Sequence, residues 1–196
     1  MKLPSRNKRS DSAPAPDDHH KPSTPKNRVR SGRYTAVSPE EGIVVFLIGM
    51  RINHPFRVWQ WLPVLASMPP MLRELSMRKD LGMLGFHVWP GRTVLVLQYW
   101  KSFEQLTTYS RASERLHVPA WRRFNRLIGS NGDVGIWHET YVVPAENAEA
   151  IHVNMPPSFG LLGVLPTVPA TGTRRTAQTR LGKRDNGLPV GTDTSD

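Results

Sequence analysis

One β-hairpin with helical periodicity on both sides constrains the fold of this chain more than any other feature. The stretch from Gly82 to Trp100, GMLGFHVWPGRTVLVLQYW, has two runs rich in β-branched, aromatic and apolar residues on either side of Pro90 and Gly91. Proline next to glycine marks a turn, so the two runs predict a pair of antiparallel strands. The elements before and after this hairpin then decide the fold.

A strand and a helix are predicted before the hairpin. The continuous apolar run GIVVFLIGMRI, from Gly42 to Ile52, is typical of a central strand. From Pro55 onward, apolar residues recur at steps of three and four up to Leu75, which predicts a helix with one buried face. Pro63 and the Pro69–Pro70 pair should kink or break it.

A second helix and a last strand are predicted after the hairpin. Ser102 is suited to cap a helix that opens with FEQL, is interrupted, continues through VPAWRRFNRLIG and ends at Gly129. The stretch GDVGIWHETYVVP, from Gly132 to Pro144, then predicts a strand with His138 near its middle.

The predicted order β-α-β-β-α-β defines an α+β, ferredoxin-like fold with an antiparallel sheet and both helices on one face. Strands this apolar also need cover on their other face. Two copies that pair sheet to sheet in a homodimer would supply it, giving a dimeric α/β barrel with a cavity where the curved sheets meet imperfectly.

The formal net charge of +10 is concentrated outside the predicted domain. Residues 1–33 carry nine Lys/Arg against three acidic residues, and they contain almost nothing to bury. We therefore expect a disordered basic N-terminal tail at 1–33, a domain at 34–165 and a disordered C-terminal tail at 166–196. Because the domain is nearly neutral, specific nucleic-acid binding is not expected.

Other function classes are excluded by composition and spacing. The chain has no cysteine, which excludes disulfides, thiolate metal sites and cysteine nucleophiles. No pair of histidines has the spacing of a zinc site, and no glycine-rich phosphate loop occurs. The run Ile43–Met50 is too short to cross a bilayer, so we expect a cytoplasmic protein with no membrane partner.

Several stretches together resemble a bacterial and fungal family described as monooxygenase family proteins. They include VVFLIGMRIN, WLPVLASMPPMLREL, HVPAWRRFNR and GDVGIWHETYVVP, and the resemblance covers about residues 34–163. That family belongs with the dimeric α/β-barrel superfamily, which includes cofactor-free monooxygenases, chlorite dismutases, dye-decolourising peroxidases and haem aldoxime dehydratases. The resemblance implies a homodimeric, monooxygenase-like oxidoreductase acting on a small apolar molecule.

A second similarity, to haem aldoxime dehydratases, concerns two histidines. In those enzymes a helix carries a His-Leu pair that ligates iron, and a strand some twenty residues later carries a His-Glu-Val whose histidine acts on the substrate hydroxyl. Here ERLHVPAW and IWHETY place His117 and His138 correspondingly. The resemblance implies haem, with His117 as the iron ligand. The chain departs from the pattern at Val118 and lacks a second fused repeat.

The residues themselves leave alternatives open. His138 alternates in phase with Ile136, so it either lines a cavity as a general acid or base or is buried against a backbone carbonyl. His117 either faces a groove or is an exposed histidine at a helix start. Arg51, at the end of the first strand, either clamps a carboxylate or a haem propionate or forms a structural ion pair.

Three function hypotheses follow. The first is a monooxygenase-like oxidoreductase, either haem-dependent or cofactor-free, with His138 as the catalytic residue. The second is a lyase similar to haem aldoxime dehydratases. The third is a non-catalytic dimeric module that binds a small molecule, because this fold hosts many functions.

Overall fold

The computed structural model describes residues 28–112, 122, 124–126, 129 and 131–183. The helices are α1 Val58–Leu65, α2 Met68–Met77, α3 Phe103–Arg111 and α4 Ala177–Arg180. The strands are β1 Arg30–Ala36, β2 Ile43–Ile52, β3 Met83–Trp89, β4 Thr93–Trp100, β5 Val134–Val143, β6 His152–Met155 and β7 Thr167–Pro169. No helix within these residues is both long enough and apolar enough to span a membrane.

A four-stranded sheet in the order β3-β4-β2-β5 forms the centre of the molecule. Strand β2 pairs antiparallel with β4 on one side and with β5 on the other, and β3 and β4 form the predicted hairpin. This order confirms the α+β, ferredoxin-like fold. The long apolar run of β2 occupies an inner position, as expected for a strand with a neighbour on each side.

The helix predicted between β2 and β3 is divided into α1 and α2. The break falls at Ala66 and Ser67, just before Pro69 and Pro70, which lie in the first turn of α2. Proline fits there because the first amide groups of a helix have no partner within it. Pro63, by contrast, lies inside α1. The predicted cap of α3 is confirmed, since the Ser102 hydroxyl accepts a hydrogen bond from the Gln105 amide at 3.2 Å.

One face of the four-stranded sheet packs against α2 and α3. The buried side chains of this core are Val44, Leu75, Met83, Trp100, Leu106 and Tyr109. Trp100 has no exposed surface and is the largest fully buried side chain among the described residues. Since Val44 and Trp100 are paired across β2 and β4, every second residue of these strands faces the helices.

The chain itself covers part of the other sheet face. A 3₁₀ turn at Gly160–Gly163 follows β6, and a smaller sheet has the order β6-β1-β7. The Gly160 amide donates to His87 Nε2 on β3 at 2.8 Å, and Val164 packs directly over Gly85. A second copy is therefore not the only source of cover for this face, contrary to the reasoning from the sequence. On the β5 side, Trp137 and Tyr141 stay exposed.

The folded part extends beyond the predicted boundaries of residues 34 and 165. Strand β1 begins at Arg30, and β7 and α4 both follow residue 165. Strand β1, RSGRYTA, has no apolar run, so its composition is close to that of a tail. It is held by backbone pairing with β6 and β7 from more than a hundred residues away, which composition cannot reveal.

Candidate functional site

A partly open cavity of about 90 Å³ lies between the helix-facing side of the sheet and helices α1 and α2. Ser67 is the one polar side chain on its described walls, and its hydroxyl donates to the Val64 carbonyl at 2.6 Å. The walls comprise Ile48, Gly49, Met50, Val64, Leu65, Ser67, Met68, Met71, Val94, Val96, Phe124 and Ile136. A ligand here would meet an almost wholly apolar surface.

A second cavity, of about 50 Å³, adjoins the first and has polar side chains on its walls, those of Gln98, Tyr109 and Ser110. Ile48, Met68 and Met71 line both. Gln98, 5% exposed, lies on the wall of the second, and its Oε1 accepts a hydrogen bond from Trp100 Nε1 at 2.9 Å. That bond occupies the amide oxygen of a cavity-lining residue, and the amide nitrogen is a further hydrogen-bond donor.

Sequence reasoning missed Gln98, although a signal was available. It is a polar residue in the apolar strand TVLVLQYW, in phase with Val96 and Trp100, both of which are buried against the helices. A buried amide in such a position requires a specific hydrogen-bond partner, because an unpaired polar group is costly to bury.

His138 lies on the helix-facing side of β5, directly opposite Ile48 of β2. Strand β5 is an edge of the sheet, and the His138 side chain is exposed. Its ring centroid is 5.7 Å from that of Phe46, and Ile136, two residues earlier on the same face, lines the larger cavity. The alternative interpretation from the sequence, that His138 is buried against a backbone carbonyl, is therefore wrong. The imidazole stands at the open edge of the cavity face.

The other two predicted site residues are not brought together with His138. Arg51 is out of phase with the helix-facing residues of β2, so it lies on the opposite sheet face, where Nη1 donates to Thr93 Oγ1 at 2.8 Å. Its role as a clamp for a carboxylate or a haem propionate stays a prediction, and this placement puts it on the sheet face away from this cavity. His117 lies outside the described residues.

A polar cluster beside β5 was not predicted. The Asp133 carboxylate is 2% exposed, and its Oδ1 lies 2.7 Å from both His54 Nδ1 and Arg57 Nη1. The Asp133 carbonyl also accepts hydrogen bonds from the amides of Asn53 and His54. These contacts join the loop between β2 and α1 to the start of β5 across 79 residues of sequence, too far for local patterns to indicate.

Two partly buried histidines, His87 and His152, lie close to the C-terminal segment, residues 159–164, which covers part of the other face of the sheet. The ring centroid of Phe159 is 4.8 Å from that of His87 and 6.5 Å from that of His152. Burial lowers the pKa of both histidines, and the proximity of His87 lowers the pKa of His152 further. Neutral imidazoles are thus favoured beneath this segment.

The fold and the cavity together define an α+β protein of ferredoxin-like topology with an apolar cavity between its helices and its sheet. Residues 43–161 match a family model described as Monooxygenase af470-like. The chain belongs to the Monooxygenase af470-like family.

Comparison with known proteins agrees with this assignment. The chain is 31% identical over 124 residues to Monooxygenase af470 of Aspergillus fumigatus, a match that covers 59% of this chain and 44% of that protein. It thus spans less than half the length of that relative. Among solved structures it is similar to an aldoxime dehydratase in complex with butyraldoxime, with a TM-score of 0.58, 17% identity, and coverage of 73% of this chain and 44% of that chain. A second aldoxime dehydratase gives a TM-score of 0.54 at 18% identity, covering 76% of this chain and 46% of that chain. At such low sequence identities, the similarity to these two structures shows a shared fold and nothing more.

Proposed function

We propose that this chain is a monooxygenase-like oxidoreductase that binds a small, mostly apolar molecule in the cavity between its helices and its four-stranded sheet. The observation that carries the proposal is the apolar cavity itself, with the exposed imidazole of His138 on the same sheet face, two residues along β5 from Ile136 of the cavity wall. Membership in a family named for a monooxygenase supports the reaction class.

The chemistry needs a proton acceptor and a group that orients the substrate. His138 takes a proton from an activated C–H or O–H group of the substrate, and the Gln98 amide nitrogen donates to a substrate oxygen. The substrate anion then supplies electrons to dioxygen. For a CH₂ group flanked by aromatic rings, one oxygen atom becomes the new carbonyl and the other leaves as water with the two hydrogens.

The described residues meet only part of the requirements for binding haem, the cofactor that the resemblance implies. The apolar walls suit a flat ring, but no described residue that lines the larger cavity is cationic and could pair with a propionate. Arg51 lies on the other sheet face, and the proposed ligand His117 is outside the described residues. The proposed reaction therefore needs only residues of this chain, the substrate and dioxygen.

Cavity binding is tested with a pair of variants on one strand. Ile48→Trp puts an indole where the two cavities meet, whereas Leu47→Trp puts the same group on the opposite face of β2. We expect anthrone, a flat apolar molecule with an activated CH₂ group, to bind wild type and Leu47→Trp alike and Ile48→Trp at least tenfold more weakly. Equal binding by all three would place the ligand elsewhere.

Catalysis is tested by oxygen uptake and by absorption spectra. We expect anthrone to consume one dioxygen per anthraquinone formed and His138→Ala to slow this roughly a hundredfold or more without a similar loss of binding. A Soret band in protein expressed with haem precursor, lost only in His117→Ala, would assign a haem-dependent reaction instead. Binding without oxygen uptake or a Soret band would identify a ligand-binding module.

A further inference from the structure

The segment that enters α1 exposes an unusual number of large apolar side chains. Phe56 is 94% exposed, Trp59 70%, Leu62 49% and Val58 42%, and α1 contains no buried residue. Single exposed apolar residues are ordinary, but a contiguous group of them marks an interaction surface. We call Phe56, Val58, Trp59 and Leu62, with Arg57 between them, the aromatic–basic edge.

The exposed charges around this edge have one sign. The sequence contains no Asp or Glu from Gly42 to Arg73, and Arg57 projects from within the edge with half of its side chain exposed. Arg92, from the β3–β4 turn, lies close by and donates to the carbonyls of Ile52 and Asn53. Among the described residues, the carboxylate at this edge is that of Asp133, which is buried and bonded to His54 and Arg57. Asp133 balances the charge of Arg57, so Arg92 supplies the unbalanced positive charge of an otherwise apolar exposed surface.

The edge is held in place rather than carried on a loose loop. Trp61 Nε1 donates to the Pro55 carbonyl at 2.9 Å, and Arg57 and the neighbouring His54 are both bonded to Asp133. A fixed display lowers the entropy cost of binding.

We propose that the aromatic–basic edge docks this protein on an anionic membrane surface. Phe56, Trp59 and Leu62 enter the headgroup and acyl boundary, and Arg57 and Arg92 approach the lipid phosphates. Aromatic rings are favoured at that depth, and cationic side chains are attracted to anionic leaflets. The sequence-based expectation of no membrane partner considered only a span, whereas surface docking requires only exposed side chains.

A second copy of the chain fits the edge less well. A two-fold interface brings the same patch of both copies together, and this edge offers no exposed carboxylate to pair with Arg92 of the other copy. An anionic lipid surface has no such conflict. The proposal is independent of the proposed reaction, although α1 also walls the cavity through Val64 and Leu65.

The absence of cysteine permits a site-specific test. Phe56→Cys carries an environment-sensitive fluorophore, and Met77→Cys is the matched control, because Met77 is 70% exposed but lies near the carboxylates Glu74 and Asp80. With vesicles containing about 30 mol% phosphatidylserine, we expect a blue shift at position 56 and none at 77. Neutral phosphatidylcholine vesicles should give a much smaller response.

Cosedimentation with the same vesicles separates the edge from the basic termini. We expect Phe56→Ser/Trp59→Ser to lower vesicle binding roughly tenfold, whereas Met77→Ser binds like wild type. Unchanged binding by the double variant would assign membrane attraction to charge elsewhere and overturn the proposal. A blue shift at position 56 that grows with protein concentration without vesicles would also overturn it, in favour of a second copy.

Discussion

Removing the buried carboxylate of Asp133 is the most direct test of how the loop before α1 is held against the sheet. In Asp133→Asn the shape of the side chain is kept and its charge is lost. Both partner atoms, His54 Nδ1 and Arg57 Nη1, lie 2.7 Å from the same oxygen, so both bonds are charge-assisted in the wild type. The substitution weakens both at once.

The magnitude follows from the difference in burial between the partners. Hydrogen bonds to charged groups contribute about 1.5–3 kcal/mol each. Asp133 is 2% exposed, but His54 and Arg57 are 56% and 54% exposed and regain water when released. The asparagine oxygen also still accepts one bond. We therefore expect a loss of about 2 kcal/mol in the free energy of unfolding, which lowers Tm by about 4–8 °C in a chain of this size.

The assay is thermal and urea unfolding of wild type and variants followed by circular dichroism. The matched control is Asp80→Asn, which breaks the solvent-exposed pair in which Arg78 donates to both Asp80 oxygens, at 3.0 and 2.8 Å. We expect no measurable change there, since solvent screens exposed pairs. Equal effects of the two substitutions would refute the argument from burial.

Two further predictions concern the C-terminal segment. Because the pKa of His87 and of His152 is lowered from 6.5 in the folded state, the unfolded chain binds more protons below that pH, and urea midpoints should fall as the pH drops from about 7.5 to 5.5. Replacing both with Phe should reduce that dependence, and an unchanged slope would contradict the assignment. Gly160→Ala should destabilise more than Gly172→Ala: both have positive φ, but only at Gly160 would the new methyl group meet a side chain, that of His152.

The fold could be predicted because each of its main elements is determined by residues that are close together in the sequence. The apolar run of β2, the Pro-Gly turn of the hairpin and the Ser102 cap all act within a few residues, and the order of elements then leaves few topologies. The smaller sheet could not be predicted in the same way. Strand β1 consists largely of polar and small residues and is defined by its pairing with distant β6 and β7.

For the candidate site, strand alternation predicts only which residues of a strand share a face of the sheet. Alternation correctly grouped His138 with Ile136, yet it cannot tell which face of a sheet the helices cover. The packing of Leu75 and Leu106 on the Val44 face decides that, and by register it places His138 on the cavity side and Arg51 on the opposite side. A one-residue shift in the pairing of β2 with β5 would exchange His138 for Trp137 or Glu139 at the cavity edge. The proposed chemistry therefore depends on the β2–β5 register as much as on the identity of the histidine.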